Sequence, residues 1–155
     1  MRIPAVSAVI SAALPAVAAA IAALLRGADL PHEDFAAHLA HFLVARQGGA
    51  VVGAVGLERH GRNGLLRSLV VAPAQRGAGL GGRLVDRLES WARQLGLRRF
   101  YLLTTTAEAF FARRGFRRIA RARVPAAVAA TREFRSLCPV SAVCMTRAVM
   151  PAAPP

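Results

Sequence analysis

One stretch of this sequence limits the fold more than any other: an apolar run, a glycine turn and an amphipathic run in direct succession. Leu65-Leu-Arg-Ser-Leu-Val-Val71 reads as a strand, and Pro73, which has no N–H to give a ladder, stops it. Arg76-Gly77-Ala-Gly79-Leu80-Gly81 follows, and then Leu84, Leu88, Trp91 and Leu95 recur at helical spacing with arginines opposite, closed by Gly96. A helix that opens out of a glycine turn presents N–H groups with no intrahelical partner and a partial positive charge. That combination suits a phosphate, and glycines remove the Cβ atoms that would hold a pyrophosphate away from the backbone. Arg76 adds a guanidinium able to fork onto phosphate oxygens. The alternative is a strand–helix connection that holds no ligand.

Spacing disposes of two rival phosphate motifs. Gly77-x-Gly79-x-x-Gly82 satisfies the dinucleotide pattern, but that unit needs an acid at the end of the next strand, and here stands Thr104-Thr-Thr106. The nucleoside-triphosphate loop needs Gly-Lys-Ser/Thr, and the chain has no lysine.

The flanking patterns place the turn in a mixed α/β (α+β) domain. The run from Ser11 through Pro15 predicts a helix start, with Ile10, Leu14, Val17, Ile21, Leu24 and Leu25 on its buried face. Residues 35–39 predict a short helix, and residues 41–45 and 50–57 predict strands joined by the hairpin signal Arg46-Gln-Gly-Gly49. Asn63-Gly64 marks the turn into the third strand. Beyond the central helix come a strand over 99–104, a helix over 107–114, a strand from Phe116, a helix over 125–137 and a last strand over 140–149. The expectation is one domain over 1–150, with a mostly antiparallel sheet of about six or seven strands and four or five helices, and a disordered tail over 151–155.

Composition sorts the partners. All 21 basic residues are arginine, and the net charge of +13 attracts polyanions, CoA and nucleic acids among them. The arginines are scattered, and one Tyr, one Trp and seven Phe do not interleave with them as in a nucleic-acid stripe. No nucleic-acid partner is expected, although a basic nucleic-acid-associated protein is the outlying alternative. Residues 3–25 carry no charge, but Pro4 and Pro15 interrupt them, so neither a membrane span nor a signal peptide is expected and the chain reads as cytoplasmic. Cys138 and Cys144 form no CxxC pair; free thiols are expected, and no metal site. Oligomeric state stays open, a homodimer included.

Leu69-Val-Val71-Ala-Pro73-Ala-Gln-Arg76-Gly-Ala-Gly79-Leu-Gly81 resembles the acetyl-CoA motif of the GNAT superfamily, R/Q-x-x-G-x-G/A after a strand. Ala109-Phe-Phe111-Ala-Arg-Arg-Gly115-Phe116 is similar to the superfamily's later F-Y-x-x-x-G-F element. Leu66-Arg-Ser-Leu69, Tyr101 through Phe111, and Ala129-Ala-Thr-Arg-Glu-Phe134 with Cys138-Pro-Val-Ser141 resemble the arsenic-resistance N-acetyltransferases, and more distantly the acetyltransferase domain of N-acetylglutamate synthase. The resemblance implies acetyl-CoA as cosubstrate and a small amino-acid-like amine as acceptor, with a glutamate-like organoarsenical as the narrower case.

It also implies roles. Leu69, Val70 and Val71 would offer main-chain groups to the acetyl-pantetheine arm, Leu69 among them as the donor that polarises the thioester carbonyl. Gln75, Arg76, Gly77, Gly79, Leu80 and Gly81 would wrap the pyrophosphate. Attack needs a neutral amine, so a base is required; Glu58, the only carboxylate between Asp34 and Asp86, is the first candidate and His60 the second. Arg67 lies in a strand expected to be buried and therefore needs a partner, either an acceptor carboxylate or Glu58. Thr104 and Thr105 are further acceptor-side candidates. Phe111 stands where many relatives carry a tyrosine acid; it would pack on the pantetheine arm, and its missing hydroxyl keeps a non-catalytic CoA-binding module as an alternative.

Overall fold

A computed structural model describes residues 7–151. Seven strands form one sheet: β1 (Val9–Ala12), β2 (Phe42–Gln47), β3 (Ala50–His60), β4 (Asn63–Val71), β5 (Arg99–Thr104), β6 (Arg117–Arg118) and β7 (Val143–Ala148). Their order is β1-β2-β3-β4-β5-β7-β6. Four α-helices accompany them: α1 (Ala18–Gly27), α2 (Leu80–Gln94), α3 (Glu108–Arg113) and α4 (Ala126–Ala129). This is the mixed, mostly antiparallel sheet with helices that the sequence predicts. Residues 1–6 and 152–155 lie outside the described residues, and with them most of the expected tail.

The residues pack as two units, one of residues up to Gly56 with Ser68–Leu88, the other of Leu57–Arg67 with residues from Glu89 onward. In the first, β1 pairs antiparallel with β2 (Val9↔Arg46 to Ala12↔Leu43), and β2 pairs antiparallel with β3. Ile21 and Leu25 of α1 pack with Phe42, Val44, Ala54 and Val70. Both α1 residues are fully buried, which stabilises by about 2 kcal/mol each. In the second unit β4 pairs parallel with β5 over Asn63↔Arg99 to Leu65↔Tyr101, and β7 lies antiparallel to both β5 and β6. Leu65, Tyr101, Val124, Val128, Phe134 and Cys144 form its core cluster.

Three local expectations need correction. Ser11 does not cap a helix: residues 9–12 are a strand, Leu14 is 61% exposed, and the helix enters through a 3-10 turn at Pro15–Val17. Two β-branched residues beside the β2 backbone outweigh the helical spacing there. The predicted helix over 125–137 breaks into α4 and a π-helical turn at Glu133–Leu137. On α2 the buried stripe runs through Leu84, Val85, Leu88 and Ala92, which leaves Trp91 and Leu95 half-buried at its margin.

Candidate active site

The glycine turn lies wholly in the first unit. Val71 ends β4, Pro73–Gln75 form a 3-10 turn, and α2 begins at Leu80, with Arg83 N–H donating to Gly79 O at 3.1 Å. Leu80 is 5% exposed and seats the helix start in the core. Leu80 and Gly81 lie in the opening turn of α2, where an α-helix leaves its N–H groups without an intrahelical partner. Gly77 and Gly79 adopt φ of +85° and +82°, a region that side-chain-bearing residues rarely enter. A Cβ built on either would meet no protein atom within 4 Å, so the space beside these two glycines is open. Arg76 Nε donates to Val71 O at 3.0 Å, which ties the guanidinium to the strand end while its terminal nitrogens stay exposed. Gln75 is steadied by Gln47, Nε2 to Oε1 at 3.2 Å. The turn therefore combines open space, the start of a helix and an arginine, features that suit a diphosphate.

Just before it, Ser68 takes φ of +60°, a left-handed residue inside β4, and the β4–β5 ladder has already ended at Leu65/Tyr101. Leu69 and Val71 are half-buried and Val70 is core.

The second unit holds a buried ionic cluster. Arg67 Nη1 donates to Glu58 Oε2 at 2.8 Å, and Arg67 Nη2 lies 3.4 Å from Glu133 Oε1. His60 Nε2 is 3.2 Å from Glu58 Oε1. Sequence reasoning names Glu58, His60 and Arg67, and the structure brings all three together, with the His60 ring half-buried against Glu58. That reasoning misses Glu133. With only eight acids against 21 arginines, each acid was a signal worth weighing.

The remaining candidates are placed differently. Thr104 Oγ1 accepts the Ala107 N–H at 2.9 Å in the turn before α3, while Thr105 is exposed. Phe111 is 4% exposed and packs edge-on against Phe116 at 5.4 Å and against Phe110 at 5.0 Å. Both cysteines are free. Burial pushes the Cys138 thiol up to about 12, with the Glu133 carboxylate adding to it, and the Cys144 thiol to about 11. Among the described residues no helix is long and apolar enough to cross a membrane.

Comparison with known proteins agrees with this architecture. The model of the acetyltransferase (GNAT) family matches residues 18–116, and the chain belongs to that family. An amino-acid acetyltransferase of Ralstonia nicotianae is 38% identical over 80 residues, half of this chain but 18% of that protein. This chain therefore spans under a fifth of that relative. N-acetylglutamate synthase from Neisseria gonorrhoeae, solved with coenzyme A and N-acetyl-glutamate, superposes with a TM-score of 0.84 at 24% identity, a likeness of fold, covering 96% of this chain and 36% of the synthase chain. Rv2747 from Mycobacterium tuberculosis, solved in complex with CoA and a ligand abbreviated NLQ, is 28% identical with a TM-score of 0.78, covering 92% of this chain and 99% of Rv2747.

Proposed function

We propose that the protein is an N-acetyltransferase that moves the acetyl group of acetyl-CoA to the amine of a small amino-acid-like acceptor. The observation that carries this reading is the open, positive-φ glycine turn at the start of α2. In the proposed reaction Gln75, Arg76, Gly77, Gly79, Leu80 and Gly81 hold the pyrophosphate, and Leu69, Val70 and Val71 offer backbone groups to the pantetheine arm. The Leu69 N–H donates to the thioester carbonyl as it becomes an oxyanion. Glu58 takes the proton, directly or through water, that the ammonium must lose before its lone pair attacks the carbonyl carbon. The tetrahedral intermediate then collapses with cleavage of the C–S bond. A thiol pKa of about 8.5 puts the thiolate only ~2 kcal/mol above the thiol at pH 7, so departure without a tyrosine acid is tolerable.

Arg67, Thr104 and Thr105 make up the acceptor side in this reading, and Phe111 packs on the arm. The narrower acceptor is a glutamate-like organoarsenical, used in arsenic resistance in the cytoplasm by a single-domain enzyme without a metal. Incubation with acetyl-CoA, a panel of amino-acid-like amines and a thiol reagent tests it. Thiol release that depends on the amine supports transfer. Because Phe111 brings no hydroxyl, a CoA-binding module without catalysis is the second reading; tight CoA binding with no release under any amine would establish that instead.

A further inference from the structure

We infer that Glu133 is a positioning residue for the acceptor side, one that fixes the plane of the Arg67 guanidinium so that Glu58 is presented in a single orientation. The inference rests on the proposal that Glu58 acts as base. A guanidinium held along one edge keeps freedom to swing about that contact, and a second carboxylate on another nitrogen removes it. Arg67 has both, Glu58 on Nη1 at 2.8 Å and Glu133 on Nη2 at 3.4 Å, with side chains 0%, 5% and 4% exposed respectively.

Two carboxylates, Glu58 and Glu133, lie on the one guanidinium, more than neutralising Arg67 by itself calls for, and placing each of them away from water is costly. The chain nevertheless fastens the segment that delivers it. A π-helical turn closes with Cys138 N–H to Glu133 O at 3.1 Å. The neighbouring Phe134 is buried in the core cluster. Arg121 then clasps the following loop, Nη2 donating to Pro139 O at 2.8 Å and to Ala142 O at 3.3 Å. Glu133 is thereby aimed from a rigid support, as groups that orient reacting residues are.

Two substitutions separate orientation from charge, with turnover normalised to the CoA-binding fraction. Glu133→Gln keeps an oxygen acceptor at full reach and is expected within about threefold of the parent kcat. Glu133→Asp keeps the charge but withdraws it by one methylene, and kcat is expected to fall about tenfold or more with CoA affinity unchanged. Parent-like turnover in Glu133→Asp, or equal losses in both variants, or a loss matched by CoA affinity, would overturn the inference. Glu58→Gln tells this failure from the larger one: parent turnover in that variant sinks the base assignment itself, whereas its loss alongside a parent-like Glu133→Asp sinks only the role of Glu133.

Discussion

Arg67 and Glu58 form a buried ion pair, guanidinium Nη1 to carboxylate Oε2 at 2.8 Å, with neither side chain more than 5% exposed. Such a pair is worth little as a stabiliser against apolar residues of the same volume, yet breaking it strands charges away from water. Arg67→Ala is therefore expected to lower unfolding free energy by about 3–5 kcal/mol, read by urea denaturation. In the folded fraction it should weaken acceptor use far more than CoA affinity. Equal loss of both would mean that Arg67 serves the fold alone.

Gly79→Ala tests the phosphate site with the smallest possible change. At φ of +82° a Cβ costs about 1–2 kcal/mol in strain, but it meets no protein atom within 4 Å, so the protein should fold. The proposed diphosphate would lie against this turn, so the added methyl group is expected to intrude on it. Calorimetric titration with CoA is expected to show an affinity at least about tenfold weaker, and parent affinity would contradict the assignment.

Gly56→Ala probes packing far from any charge. A Cβ there would stand 2.3 Å from Cε1 and Cζ of Phe42, a ring with no exposure and no room to retreat. The expected destabilisation is about 1–3 kcal/mol or more, seen as a fall in Tm.

The thiols give a pH-dependent prediction. In the unfolded chain they ionise near the ordinary value of about 8.5, whereas burial holds Cys144 protonated to about 11 and Cys138 to about 12. Between those limits the unfolded state binds fewer protons, so stability declines as pH climbs from about 8.5 toward 12 and is untouched below. Replacing both cysteines by alanine should flatten that decline. At pH 8 a disulfide reagent should titrate neither thiol rapidly in the native protein and both in guanidinium.

Much of the fold was legible because periodicity and punctuation agree over its middle third. Residues 99–104 are the expected strand, and α2 starts at Leu80 and closes before Gly96 at φ of +79°. The ends were harder. Val9–Ala12 carries helical spacing into a strand because an edge of β2 was there to pair with, a tertiary fact no local window contains. The segment after Pro125 has helix-forming alanines, but Thr131 Oγ1 turns back to Val128 O and the following turn is π, so one long helix does not form. In the candidate site the glycine turn could be read from residue types alone. The Arg67 cluster could be read only halfway: a buried arginine demands an anion, and which of the eight acids answers depends on a chain reversal 66 residues further on.

Ser68 leaves a constraint on how this protein can change. A left-handed residue in mid-strand excludes valine, isoleucine and threonine from that position, while glycine, asparagine and aspartate are admissible. A library randomised across β4 should thus return a nearly closed alphabet at residue 68. Any redesign that imports a conventional β-branched strand across this span would trade the kink for a regular ladder, and with it the backbone geometry on which thioester recognition is proposed to depend.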